Sequence, residues 1–259
     1  MTLEFHKYHG TGNDFIIIDN RSEFFDKQNK IRIAELCDRR FGIGADGLIL
    51  LENHNSLDFK MVYYNSDGNE SSMCGNGGRC IVHLARELEI IQDKATFEAI
   101  DGVHKAFIDD QLIELQMQNV INIEQVNNAI ILNTGSPHYV QLSKDISSLN
   151  IDVEGAKVRF GESFKIEGIN VNFVERINDD SFAIRTYERG VEGETLSCGT
   201  GVTAVALAMH YCGETKKNVV NIKTEGGPLQ VSFSKVEDEY NDVWLTGPAM
   251  LVFKGHMKW

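Results

Sequence analysis

Three prolines in 259 residues, and no tract rich in Ser and Gly, leave this chain without an obvious linker. Any division into domains must therefore be sought in internal similarity. Cysteine is equally sparse: five residues, an odd number, with no C-x-x-C pair. That usage excludes a disulfide scaffold and a zinc ribbon. No apolar run approaches the roughly eighteen residues of a membrane span. The N-terminus, Met-Thr-Leu-Glu-Phe-His-Lys-Tyr, lacks the basic segment and apolar stretch of a secretory leader. Positive charge is also short: 25 Lys and Arg against 38 Asp and Glu give a net charge of −13. Nucleic acid is thereby excluded as a partner class, because phosphate binding needs clustered cations that release counterions. The eight histidines form no H-E-x-x-H or mixed Cys/His ligand cluster, so no metal is expected. These absences together predict a cytoplasmic chain with reduced thiols and no membrane partner.

What is present is a large apolar complement, 42% of residues, in a chain of a length that buries roughly 70–75% of its unfolded surface. Short runs rich in β-branched and aromatic residues, bounded by Gly, Asn and Asp, predict strands throughout: Leu3 to Tyr8, Phe15 to Asp19, Leu48 to Leu51 and Phe59 to Tyr64 are the first four. Only three segments read as helices, about Ile31 to Arg39, Gly77 to Ile91 and Gly201 to Tyr211. The pattern predicts an α+β fold of mixed sheets wrapping a few helices.

Two segments resemble each other. Tyr64-Asn65 is followed, nine residues after the Asn, by Cys74-Gly-Asn-Gly; Tyr187-Glu188 is followed, ten residues after the Glu, by Cys198-Gly-Thr-Gly. Each time a strand ends on an aromatic and a polar residue, a loop rich in Gly and acidic residues follows, and a cysteine opens a helix. Two pseudo-symmetric lobes account for this, a first of residues 1–125 carrying Cys74 and a second of 126–259 carrying Cys198, leaving open whether the last strand packs back on the first lobe.

A cysteine at a helix start lies near unpaired backbone N–H groups and the positive end of the helix dipole, which favours the thiolate. The glycines that follow let a carboxylate approach those N–H groups. For either site alone the ordinary reading is a small buried cysteine; the matched pair points to chemistry. Facing each other across a cleft, the two would serve one carbon: a thiolate removes the α-proton, a thiol delivers one to the opposite face, and the N–H groups hold the carboxylate as it gains enolate-like charge. Cys37, Cys80 and Cys212 fall within predicted helices without such entrances and read as packing residues.

Five ordered segments are specific enough to name a family. H-G-T-G-N-D-F (His9 to Phe15), R-F-G-I-G-A-D-G (Arg40 to Gly47), M-C-G-N-G-G-R-C (Met73 to Cys80), G-S-P-H (Gly135 to His138) and Y-E-R-G-V-E-G-E-T-L-S-C-G-T-G (Tyr187 to Gly201) resemble diaminopimelate epimerase, across nearly the whole chain. The resemblance implies a bilobal α+β fold with the active site between two barrel-like lobes, each wrapped around a central helix. It implies interconversion of LL- and meso-diaminopimelate, feeding lysine and peptidoglycan synthesis, without pyridoxal phosphate or any other cofactor. Position by position, Cys74 and Cys198 fall on the family's two catalytic thiols. Asn13, Asn65, Asn170, Glu188 and Arg189 match its substrate-binding positions. Gly75 with Asn76, and Gly199 with Thr200, match the pairs that hold the reacting carboxylate. His138 resembles the family's histidine near the site.

The chemistry agrees independently: an Arg can grip the remote carboxylate bidentately and a Glu can pair with the remote ammonium. Two positions depart from the pattern. Some members carry a substrate-contacting glutamine where this chain has Gly47, and an asparagine where it has Ser136. Competing readings are a racemase of another amino acid, such as proline or histidine, a one-cysteine hydrolase or transferase with His138 as base, and a binding protein that lost turnover. The expected partner is a small amino-acid substrate; a homodimer is left open.

Overall fold

The computed structural model describes residues 2–71 and 73–258. The chain forms two compact units, residues 1–115 with 247–259, and residues 116–246.

The first unit opens with strands β1 (Thr2–Gly10) and β2 (Asn13–Asp19), then helix α1 (Lys30–Cys37), β3 (Gly47–Glu52), β4 (Phe59–Asn65), helix α2 (Gly75–Glu87), and strands β5 (Lys94–Ala99), β6 (Gly102–Asp109) and β7 (Leu112–Gln116). Neighbours pair in chain order. β1–β2 is antiparallel, β2–β3 parallel, β3–β4 antiparallel, β4–β5 parallel, and β5–β6 and β6–β7 antiparallel. Each parallel step needs a crossover, and the two helices supply them.

The second unit contains β8 (Ile123–Val126), β9 (Ala129–Asn133), β10 (Pro137–Leu142), helix α3 (Ile151–Arg159), β11 (Asn170–Arg176), β12 (Ser181–Glu188), the short β13 (Gly193–Thr195), helix α4 (Gly199–Tyr211), β14 (Val219–Thr224), β15 (Gly227–Val236) and β16 (Glu239–Pro248). From β9 onward the pairing repeats that of the first unit from β1: β9–β10 antiparallel, β10–β11 parallel, β11–β12 antiparallel, β12–β14 parallel, β14–β15 and β15–β16 antiparallel. Thus β2, β3, β4 and α2 correspond to β10, β11, β12 and α4. The final strand, β17 (Met250–Lys258), pairs antiparallel with β1, and β8 pairs antiparallel with the corresponding β9.

Apolar runs explain the central strands. Phe15 to Ile18 and Leu48 to Leu51 are wholly buried, as strands covered on both faces must be. Ile16, Ile18, Leu48 and Leu50 form one core with Ile33 and Leu36 of α1. On the opposite face, α2 packs against strands from β17 through β1, β2, β3 and β4 to β6. Laid flat, a sheet from β17 to β6 would span about 29 Å, against about 10–12 Å for a helix with its side chains; the sheet therefore curls around α2. In the second unit α4 is packed in the same way by β9, β10, β11, β12, β14 and β15. Under α3 lies a smaller core of Ile146, Ile151, Ile169, Val171, Phe173 and Tyr187.

Four helices form rather than the three expected. The additional one, α3, contains Gly155, a weak helix former. A Cβ there would come within 2.3 Å of the Tyr187 Cβ, so the residue that hides the helix in the sequence is the one that lets it lie against β12. Strands β8, β9 and β13 also exceed the expectation; β8 and β9 form a hairpin whose turn places Asn127 at φ 53°. Cys212, expected to pack in a core, is instead exposed at the C-cap of α4, its S–H bonded to the Ala208 carbonyl. No helix among the described residues is long and apolar enough to cross a membrane.

Candidate active site

In the first unit the parallel strands β2 and β3 begin, and the antiparallel β4 ends, at one end of the sheet. Asn13, Gly47 and Asn65 are therefore gathered there, with Gly47 directly opposite Asn65. Helix α2 starts at the same end. Cys74 is its N-cap, with extended backbone and no side-chain capping bond. The thiol donates to Asn13 Oδ1 at 3.6 Å, and Asn76 Nδ2 donates to the same oxygen at 3.2 Å. The first-turn N–H groups that follow, those of Gly75 and Asn76 among them, have no partner within the helix.

Asn13 is held from behind. Its Nδ2 donates to Asp46 Oδ2 at 2.7 Å. Asp46 and Asp14 are in turn clamped by Arg39, which reaches Asp14 Oδ1 and Asp46 Oδ1 at 2.7 Å each, while Lys7 pairs with Asp14 and donates to the Gly44 carbonyl. Burial would raise the Asp14 carboxyl, but the bonds from Arg39 and Lys7 outweigh it and hold the group well below the usual carboxylate range. Asp14 and Asp46 thus act as loop anchors, and Asn13 is the member of that motif whose oxygen accepts from the thiol.

The second unit repeats this end. His138 near the start of β10 lies beside Asn170 at the start of the parallel β11; Val171 pairs with Tyr187, which sets Asn170 next to Glu188 at the end of β12. Cys198 is the N-cap of α4, extended and without a capping bond. Its sulfur lies 3.4 Å from Thr200 Oγ1, and the Thr200 carbonyl accepts from Thr134 Oγ1 at 2.8 Å. Asn170 Oδ1 accepts from the Arg189 N–H at 2.9 Å and its Nδ2 donates to the Pro137 carbonyl at 3.1 Å, so this amide fixes the turn that carries Glu188 and Arg189. Glu188 accepts from Thr195 Oγ1 at 2.9 Å. Arg189 is exposed and tethered through one Nη1 bond to the Glu167 carbonyl at 2.9 Å. Its remaining N–H groups stay available for a carboxylate.

His138 is wholly buried and flanked by a residue the sequence did not single out. Asn172 Nδ2 donates to the Tyr139 carbonyl at 3.0 Å, which fixes the amide orientation, and lies 3.1 Å from His138 Nδ1. Thr186 Oγ1 donates to Asn172 Oδ1 at 3.1 Å. Nδ1 is therefore an acceptor and Nε2 carries the proton; Nε2 has no partner among the described residues. Burial, reinforced by the charge of Arg189, brings the imidazole down to about 3, so the ring is neutral at working pH. A neutral ring whose only lone pair is occupied is a hydrogen-bond donor, not a base.

The other cysteines have the opposite setting. Burial pushes the Cys37 thiol up to about 12 and Cys80 higher still, and the Cys212 thiol, partly covered where it meets the Ala208 carbonyl although the residue is exposed, is also raised by desolvation. Among the described residues no group of three or more His, Cys, Asp or Glu could hold a metal ion.

Gly47 has a steric reason. A Cβ there would meet Tyr63 Cε2 at 2.5 Å and the Tyr64 carbonyl at 2.6 Å. The Tyr63 ring occupies the space a longer side chain would need. This residue, like Asn172, escaped the sequence reading because it belongs to a strand run that reads simply as apolar.

The diaminopimelate epimerase family model matches residues 5–121 and 130–252. The chain is 55% identical to the diaminopimelate epimerase of Flavobacterium psychrophilum, over 97% of this chain and 99% of that one, and 39% identical to that of Aquifex aeolicus, over 98% of each. A solved structure of a PhzF-family phenazine biosynthesis protein from Bacillus anthracis superposes with a TM-score of 0.74 over 100% of both chains at 13% identity, a likeness of fold. By sequence along nearly its whole length, the chain belongs to the diaminopimelate epimerase family.

Proposed function

We propose that this protein interconverts LL- and meso-diaminopimelate in a cytoplasmic setting, with Cys74 and Cys198 as the two acid–base groups. The observation that carries the reading is the duplication itself: each unit places an uncapped cysteine at the start of its central helix, at topologically equivalent positions. A single-base reaction has use for one such cysteine. Inversion of a carbon has use for two, one removing the α-proton as thiolate and the other protonating the opposite face as thiol.

On this reading the N–H groups of Gly75, Asn76, Gly199 and Thr200 stabilise the carboxylate as the α-carbon becomes carbanionic. Asn13, Asn65 and Asn170 complement the zwitterion. Glu188 and Arg189 engage the remote ammonium and carboxylate, which a substrate lacking a second amino-acid head would leave unused. His138 is a neutral ring that accepts from Asn172 at Nδ1 and keeps its proton on Nε2. That protonation state argues against a one-cysteine hydrolase with His138 as its base, since the ring has no lone pair to offer.

The test is deuterium incorporation at the α-carbon of diaminopimelate in D2O, together with inversion, for wild type, Cys74→Ala and Cys198→Ala. Wild type is expected to exchange and invert, and each variant to lose inversion entirely. Inversion retained by either single variant would refute the two-base assignment. Turnover of proline or another amino acid with diaminopimelate inert would overturn the substrate.

A further inference from the structure

Among the described residues Arg79 is the largest fully buried side chain, and it is a cation. All its hydrogen bonds go to neutral oxygens: Asn76 Oδ1 at 3.0 Å, the Gly75 and Pro248 carbonyls at 3.3 Å each, and Thr11 Oγ1 at 3.4 Å. Among the described residues no carboxylate pairs with it. A buried charge without a counter-ion is strongly disfavoured in a folded protein, and here burial weakens even an arginine's hold on its proton.

Two of those bonds lead to the reacting end of α2. Arg79 can only donate, so Asn76 must turn its oxygen inward and its Nδ2 outward to Asn13. Asp46 can only accept, so Asn13 must present Nδ2 to it and Oδ1 to Asn76 and Cys74. A donor at one end and an acceptor at the other leave this relay a single polarity. The corresponding position of the second unit, five residues after Cys198, is Thr203, a neutral side chain that donates to the Gly199 carbonyl at 3.0 Å. The two helix starts are therefore alike in backbone and unlike in charge.

We propose that Arg79 is a positioning residue for the epimerase reaction: it locks the Asn76–Asn13 relay and supplies a buried positive potential at Cys74. The inference rests on the two-thiol reading above, in that Cys74 is taken to carry negative charge during turnover. The groups whose charges reach Arg79 are Cys74 and Cys80, and Cys80 is held as the neutral thiol by burial. From the strands packed on α2, Lys7 and Asp14 neutralise each other, Arg39 closes on Asp14 and Asp46, and Tyr8 bonds to His83, whose burial keeps it neutral.

The test is residue-resolved alkylation of the intact protein, followed by mass spectrometry, with iodoacetate and iodoacetamide. Both reagents attack the same thiolate, so the ratio of their rates cancels thiol acidity and reports local potential. The iodoacetate-to-iodoacetamide ratio at Cys74 is expected to be at least about threefold higher in wild type than in Arg79→Gln, with the ratio at Cys198 the same in both. In Arg79→Gln the pH midpoint of Cys74 alkylation rises by about one unit while that of Cys198 stays. The kcat for α-proton exchange falls about tenfold or more with a smaller change in KM, and Arg79→Lys, which keeps the charge, restores the Cys74 midpoint. A Cys74 ratio that is equal in wild type and in a folded Arg79→Gln protein overturns the proposal, as does an unmoved Cys74 midpoint in that variant. Alkylation needs no substrate, so a protein inert towards diaminopimelate sinks the functional reading and leaves this test standing.

Discussion

His138 offers a direct check on the interior of the second unit. Its imidazole sits at about 3 in the folded protein because burial removes the charged form from water, against about 6.5 in an unfolded chain. As pH falls through 6.5 the unfolded chain takes up a proton that the folded one refuses. Stability is therefore lost progressively from about pH 6.5 down to about pH 3, and this contribution is flat on either side. At pH 5 the gap is about 1.5 pH units at about 1.36 kcal/mol each, or about 2 kcal/mol. His138→Gln keeps a side chain that can accept from Asn172 and removes the titration. Urea unfolding followed by circular dichroism at pH 7 and pH 5 should show wild type losing about 2 kcal/mol more than the variant between the two conditions. His6 is likewise lowered by burial and Asp14 is lowered on balance by its cationic partners; both are present in the two proteins and cancel in the comparison. Equal losses would refute the assignment of His138 as a buried neutral donor.

Two glycine substitutions separate packing from chemistry. Gly201→Ala would bring a Cβ to 2.7 Å from Asn172 Oδ1 and 3.4 Å from Cys198 Sγ; kcat for α-proton exchange is expected to fall about tenfold or more, with the melting temperature within about 3 °C of wild type because alanine favours the helix. Gly47→Ala meets the Tyr63 ring and the Tyr64 carbonyl at 2.5 and 2.6 Å. It should cost about 1–3 kcal/mol in urea unfolding, and Tyr63→Ala in the same chain should recover only part of that, since the carbonyl cannot be removed.

Much of this architecture is legible in the residues themselves, for reasons that differ by element. The strands carrying Phe15 to Ile18 and Leu48 to Leu51 are unbroken apolar runs because helices cover both faces. The two helix starts announce themselves because the same cysteine–glycine entrance occurs twice, after matching strand ends. The hairpin at Asn127 and helix α3 are not legible, since one depends on a left-handed turn residue and the other on a glycine chosen for its neighbour Tyr187. At the candidate site the motif residues were legible, whereas Asn172, Tyr63 and the importance of Arg79 emerge only from contacts between segments far apart in the chain. Cys212, read as a packing residue within the last helix, is instead the C-cap that follows Tyr211, and it is exposed.

The alternation of parallel and antiparallel neighbours in each sheet has a practical corollary. It sends the ends of β3 and β11, and the starts of β4 and β12, to the edge of each unit away from the cysteines. The connecting segments 53–58 and 177–180 thus lie at the far end of each sheet from Cys74 and Cys198, and on the proposed reading take no part in catalysis. Affinity tags, fluorescent reporters or lengthened loops belong there, where the protein can be modified without disturbing either of those two cysteines.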